Sequence, residues 1–317
     1  MSLKTLVNDS TFSTRNLFGM RRDEVVESIE WDQILTHRLE VEPVFDRRGN
    51  AIPDRQNIVN EEGESLSIMQ GRFTLTQPTD FRDMVREALV GVDHKVTFAA
   101  TYNGQRSHMV GVEFAGLSNF SVGDEDRHSY TQIFRGSADG TWSLGAGGLL
   151  ERFFCANQFA ATFKDAEGKA KNTIGGQAKF ASILSQLEAI EANVESYKIA
   201  CERLANIEAT EWQARQFIAG LLAPSDKALS TRSLNIIEDT TQRFTHGMGN
   251  HGATRYDIFN ALTERFTHEA GKPASRVGES IAGRAANVKR EAYRLITDGQ
   301  RFQATSERGA SILLLAN

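Results

Sequence analysis

Two stretches of the 317-residue chain gather residue types that can do chemistry. The first runs from Phe134 to Phe163. Within it Ser137-Ala138-Asp139-Gly140 reads as a turn, because an Asp carboxylate can bond its own backbone and Gly140 accepts positive φ. Thr141 to Leu144 alternates like a strand. Gly145, Gly147 and Gly148 then interrupt, as a tight bend or a close backbone approach to a ligand would require. An apolar run from Leu149 to Phe154 follows, carrying Glu151 and Arg152, and Cys155 to Gln158 closes it with Asn157. The second stretch runs from His246 to His268. A glycine loop there feeds a helix with Thr254 as its N-cap. Tyr256, Asn260, Glu264 and His268 fall four apart and form one polar row. Asp139, Arg152, Glu264 and His268 are thus candidates for an enzyme acting on nucleic acid or nucleotide.

Signatures of particular reactions are missing. Gly145-Ala146-Gly147-Gly148 is not a dinucleotide fingerprint, no phosphate loop follows, and no nucleophile elbow occurs. A metal site can be assembled from Glu264 and His268, with His251 or Asp139 as distant additions, but no metalloprotease or calcium-loop motif supports it. The two cysteines, Cys155 and Cys201, have no CxxC spacing and read as small buried hydrophobes in a reducing compartment. The expectation is no metal and no cofactor. The plain alternative is that Asn260, Glu264 and His268 hydrogen-bond neighbouring loops and order them.

The formal charge of −5 gives no global attraction for nucleic acid, so binding would need a local basic face. The lysine-dense stretch with Lys164, Lys169, Lys171 and Lys179 is one source. Arg255, in the loop-to-helix junction beside His246 and His251, is another, since a helix N-terminus presents N–H groups to phosphate. The tail from Lys272 to Arg308 is the one positively biased segment. Lys169, Lys171, Arg255, Lys289, Arg290 and Arg294 are therefore the expected contacts to single-stranded nucleic acid, with Arg135 and Arg152 as further charge. Phe120, Tyr130 and Trp142 are candidate stacking platforms, though each suits a core equally. Arg21 and Arg22 lie in an N-terminal arm.

The elements that must position these groups divide the chain in three. Residues 1–30 read as the arm, 31–176 as an α+β region with an antiparallel sheet, and 177–317 as a helical region packed on it. A helix or helix-to-strand segment is expected over Trp31 to Glu42. Strands follow at Val41–Phe45, Ile58–Val59 and Ser65–Met69, the first ending in a turn at Asp46 to Asn50. Thr79 or Asp80 would cap a helix over Phe81–Leu89. Val96–Tyr102 and Ser107–Phe114 form a hairpin about Asn103-Gly104. Gly116 to Arg127 reads as a polar loop with acidic Asp124-Glu125-Asp126, and Ser129–Phe134 as another strand. Asp165 to Gly176 reads as a loop or hairpin. A helical period then starts at Phe180 and runs through Ile183, Leu187, Val194 and Tyr197 to Ile207. Helices over Glu208–Leu222, holding Trp212, Phe217, Ile218 and Leu221, and over Ser230–Phe244 complete the pattern. No apolar run is long enough to span a membrane and no signal-peptide core opens the chain, so a soluble, cytoplasmic protein is expected.

Arg135-Gly-Ser-Ala-Asp-Gly140, Arg152-Phe-Phe-Cys-Ala-Asn157 and Gly249 to His268 resemble the phage/plasmid-like family described as domain of unknown function 932. Asp139, Gly140, Arg152, Cys155, Asn157, Thr254, Asn260, Thr263, Glu264 and His268 match its pattern. The family's His before Asp-Gly is Ala138 here. The resemblance covers roughly residues 60 to 300 and implies a phage, prophage or plasmid origin. It implies a polar cluster of Asp139, Arg152, Asn157, Thr254, Asn260, Glu264 and His268 formed where the two stretches meet. A non-enzymatic DNA-handling protein that binds or anneals single strands as a homo-oligomer is the leading expectation. An enzyme centred on the four residues above is the first rival. A protein that binds a host or phage partner, such as a host-defence inhibitor, is the second.

Overall fold

The computed structural model describes residues 4–6, 9–13, 28–71, 73–102, 104–117, 119–123, 126–152, 158–161, 169–171, 173–184, 189–223, 229–269 and 283–315. Arg21, Arg22, Cys155 and Asn157 lie outside them. The architecture is α+β, with antiparallel sheets in the N-terminal half and a mainly helical C-terminal half.

The main sheet is built on β6 (His94–Tyr102), β7 (Ser107–Phe114), β9 (Asp126–Ser137) and β10 (Leu144–Arg152), paired in that order and all antiparallel. β1 (Lys4–Leu6) and β2 (Asp9–Ser13) extend it beyond β6. β11 (Gln158–Ala161) and β12 (Lys169–Ala170) both pair with β10, and β8 (Phe120–Val122) pairs with the start of β9. Every residue of β7 is buried. The reason is that both faces of the sheet are covered, so odd and even positions both need apolar side chains. Ala99, Val110, Phe134 and Leu150 point into the main core, while Phe98, Met109, Ile133 and Leu149 form a second cluster with Ala286. Gly111 lies under the Phe98 ring, in space a side chain would occupy.

Before this sheet, β3 (Glu40–Phe45), β4 (Ala51–Val59) and β5 (Ser65–Gln70) form a separate three-stranded sheet. Its small core of Leu39, Ile58, Leu66 and Ala138 rests on the turn after β9. Of the two readings of Trp31 to Glu42, the helix-to-strand one matches: a single 3-10 turn at Trp31–Gln33 leads to β3 at Glu40. α1 (Pro78–Ala88) starts three residues earlier than the expected Phe81. Its N-cap is Gln77, because Pro78 at the first helical position needs no amide partner and presets φ.

The helical half comprises α2 (Ile174–Leu184), α3 (Ala189–Ala205), α4 (Glu211–Leu222), α5 (Thr231–His246), α6 (Arg255–His268), α7 (Arg284–Ile296) and α8 (Gly299–Leu314). One hydrophobic cluster runs from Val110 and Phe134 of the sheet through Phe159, Tyr197 and Phe259 to Phe302, so the halves share a core. Phe217 and Ile218 lie in it, whereas Trp212 is 54% exposed. Gly145, Gly147 and Gly148 do not interrupt a strand. They sit inside β10, paired with Arg135, Ile133 and Gln132. The expected strand over Thr141–Leu144 begins only at Leu144, after a bend held by Asp139.

Candidate functional site

The end of β10 meets the loop between α5 and α6, and this is where the two chemistry-bearing stretches come together. Arg152 is 4% exposed. Its Nε donates to both Asp126 carboxylate oxygens at 2.7 and 2.8 Å. One terminal nitrogen donates to the Met248 carbonyl at 3.0 Å and to Asn250 Oδ1 at 3.4 Å, and the other to the Gly249 carbonyl at 2.8 Å. The guanidinium also lies 5.7 Å from the centre of the Tyr256 ring. A buried ion pair needs such additional bonds, because Coulomb attraction alone does not offset the loss of hydration.

Around this pair runs a short relay. The Tyr256 hydroxyl donates to Asp126 Oδ2 at 2.7 Å and therefore accepts from His128 Nε2 at 2.8 Å. Burial by itself would raise the Asp126 carboxyl, yet the hydrogen bonds and charges of His128 and Arg152 outweigh it and hold the group at about 2. Burial moves the Tyr256 hydroxyl well above its ordinary value and pushes the Cys201 thiol up to about 12. Neither can serve as an anionic nucleophile at neutral pH. Chemically, the arrangement holds a charge pair and orders a loop.

The loop is fixed from the helix side as well. Asp257 accepts from the backbone nitrogens of His251, Ala253 and Thr254 at 3.2, 3.1 and 3.0 Å. Thr254 caps α6 as expected, and with Asp257 it completes a capping box. Asn250 Nδ2 reaches back to the Arg243 carbonyl at 2.8 Å. Glu264 accepts from Arg243 at 2.7 Å and from the Met248 nitrogen at 3.2 Å. Arg152 and Glu264 thus grip the same residue, Met248, by its carbonyl and its amide.

Other residues of the expected polar cluster go elsewhere. Asp139 accepts from the backbone and hydroxyl of Thr141, at 2.9 and 2.6 Å, and only shapes its own turn. It lies at the opposite end of β10 from Arg152, about 25 Å away at roughly 3.3 Å per residue. A four-residue catalytic centre of Asp139, Arg152, Glu264 and His268 is therefore not assembled. Asn260 is 3% exposed, with its Nδ2 unpartnered. His268 sits half-buried in the last turn of α6. Sequence reasoning missed Asp126, placed in a polar loop, along with His128 and Asp257. The Thr254-x-x-Asp257 spacing was a readable signal for the last. The other two declare themselves only through pairing between β9 and β10.

The expected cationic contacts divide in the same way. Lys289 is 0% exposed and donates to Thr267 Oγ1 at 3.3 Å, so it is no surface phosphate contact. The signal was in the sequence: Ala285, Lys289, Ala292 and Ile296 form the buried stripe of α7. Arg294 is half-exposed but bonded to Glu291 at 2.8 Å. Arg255 lies over the Phe302 ring, 3.9 Å from its centre, and Lys171 is exposed. Arg290 bonds Asn287 and stands close enough to Arg135 for the two charges to oppose. Burial and then this opposition lower Arg135, while burial lowers Arg290. Arg135 pairs with Gly145 across the strands, and Gly145 pairs in turn with the backbone of Lys169.

No group of three or more His, Cys, Asp or Glu among the described residues is arranged to hold a metal ion. No described helix is long and apolar enough to cross a membrane. No curated protein and no solved structure gives a significant match. A family model described as domain of unknown function (DUF932) matches residues 65–297, which include both halves of the Arg152 junction, and the chain belongs to that family.

Proposed function

We propose that the protein binds single-stranded nucleic acid, with Arg135 and Arg290 as its phosphate seat. What supports this reading is that those two half-buried guanidinium groups, from β9 and from α7, lie near enough for their charges to oppose, with no carboxylate bonded to either among the described residues. Two like charges held together in partial burial are unfavourable until an anion joins them, and guanidinium forks match phosphate oxygens. Trp142 packs beside the same sheet cluster and is only partly buried, so it can offer a ring to a base. Lys169 follows in backbone register through Gly145. The mobile-element origin implied by the family resemblance would suit a DNA-handling role, and self-assembly along a strand would suit annealing.

Net charge −5 opposes diffuse attraction, so affinity rests on this local seat and falls as salt rises. Fluorescence anisotropy of a labelled oligonucleotide across a salt series tests it. Arg135→Ala with Arg290→Ala should weaken binding and flatten the log–log salt slope by about 1.4, two contacts at roughly 0.7 each. Absence of binding at low salt, or a slope unchanged in the double variant, overturns the reading.

A further inference from the structure

Among the described non-glycine residues three have positive φ: Leu35 at 48°, Asp54 at 58° and Gln105 at 69°. Leu35 and Gln105 line the same cavity, about 110 Å³ in volume. Left-handed backbone at a bulky residue is costly and persists where the surroundings over-determine it, commonly at ligand sites. Leu35 and Ala99 give the cavity an apolar wall, and Thr36, His37, Thr101 and Gln105 give it a polar one.

Two of its side chains carry unpartnered polar atoms. His37 Nε2 and Gln105 Oε1 are both buried without a hydrogen bond. His108 stands next to Thr101 across the β6–β7 pair, is 0% exposed, and has neither ring nitrogen bonded. It is close enough to His37 for their charges to oppose. Phe81 packs on the His108 ring at 4.7 Å between centres, and a Cβ at Gly136 would come 2.7 Å from its Nε2. The fold therefore keeps room for an imidazole where an apolar ring would pack without an unmet bond. Buried polar groups are nearly always satisfied, and two orphaned residues lining one cavity, with an orphaned imidazole behind its Thr101 wall, point to an occupant.

The chemistry of the lining selects that occupant. Burial lowers both histidines, His108 to about 3, so both are neutral at pH 7. No Lys, Arg, Asp or Glu lines the cavity, and Glu61 and Glu62 act on His37 only from outside that lining, so a charged ligand would lose its hydration with no paired charge in contact. Gln105 Oε1 requires a donor, and a neutral imidazole offers one N–H and one lone pair. The volume suits a ligand of a few heavy atoms rather than a drug-sized one. We propose that the cavity between Leu35–His37 and the β6–β7 hairpin binds a small uncharged molecule whose carbonyl and N–H lie side by side, as in a lactam or a primary carboxamide. This site is independent of the Arg135–Arg290 seat, which belongs to the opposite face of the sheet.

Uracil, nicotinamide and acetamide are the probes, followed by the ring nitrogen resonances of His37 and His108 and by the thermal midpoint. At least one probe should shift both rings and raise the midpoint. Gln105→Leu should weaken that probe about tenfold, the weight of one hydrogen bond. In the free protein the same variant should keep or raise the midpoint, since an unmet acceptor is gone. His37→Leu should give the same loss of binding, which keeps the test intact if Gln105→Leu does not fold. No shift with any of the three probes, equal shifts in both variants, or stoichiometric zinc held by His37 and His108 would overturn the proposal.

Discussion

Asp126 and the 248–250 loop supply five hydrogen-bond acceptors to Arg152 among the described residues. That arrangement makes it a positioning residue. Arg152→Met would leave Asp126 buried without its cation and should cost about 3–5 kcal/mol, read as a lower unfolding free energy in urea. A loss under about 1 kcal/mol would show that the junction is not a closed ion pair. Two residues also set acid sensitivity, in different windows. His108 has a folded value of about 3 against 6.5 for the free group. The unfolded chain therefore binds more protons between those values, and stability falls as pH drops below 6.5, at about 1.4 kcal/mol per pH unit. Asp126 is held at about 2 against 3.8. Its contribution is complete above 3.8 and is lost, about 2 kcal/mol in all, as pH falls towards 2. His108→Phe should flatten the stability curve between pH 6.5 and 3.8 and leave the lower limb intact. A variant curve parallel to the parent in the upper window would contradict the neutral, buried imidazole.

At the scale of elements, α4 and α8 make the closest helix contact of the C-terminal half. A side chain at Gly220 would run into the Thr305 carbonyl, and one at Gly309 into the Gln216 carbonyl. Backbone cannot yield as a side-chain tip can. Arg308 ties the same crossing by donating to the carbonyls of Gly220 and Ala223. Gly309→Ala should destabilise by about 3 kcal/mol, although alanine favours the helix itself. An unchanged or higher thermal midpoint would mean that the two helices are not in backbone contact. Thr254→Ala tests the α6 cap at the other end of the scale. It should cost about 1 kcal/mol, and faster hydrogen exchange should extend to the His251 and Ala253 amides, because both donate to Asp257, the partner of Thr254 in the capping box.

Across the whole molecule, burial predicts where stability is concentrated. β7 and β9 are covered on both faces, whereas β3 to β5 leave Val41, Phe45, Ile52 and Ile68 exposed. Native-state hydrogen exchange should find the slowest amides in β7 and β9 and clearly faster ones in β3 to β5. Equal protection in the two sheets would indicate one cooperative unit in place of a core and an appended hairpin sheet.

Local chemistry was legible wherever it depends on neighbours in the chain. The β6–β7 hairpin, the Thr254 cap, the turn at Asp139 and the helical periods of the second half follow from φ preferences and apolar spacing, so the α+β order could be read directly. The sequence alone also pointed to the 139–157 and 249–268 stretches and to the family. Tertiary structure decided what those residues do. Antiparallel pairing set His128 against Arg152 across β9 and β10, which brought Asp126 to the guanidinium and sent Asp139 to the far end of the strand. Glycines that read as a break became the middle of β10, because strands on either side supply the pairing that glycine itself cannot favour. Lys289 and Arg290 are adjacent basic residues, yet one step along α7 separates a fully buried amine, which burial lowers well below its ordinary value, from a half-buried guanidinium near enough to Arg135 for their charges to oppose. Spacing fixes which residues share a face, and only the fold determines what covers it.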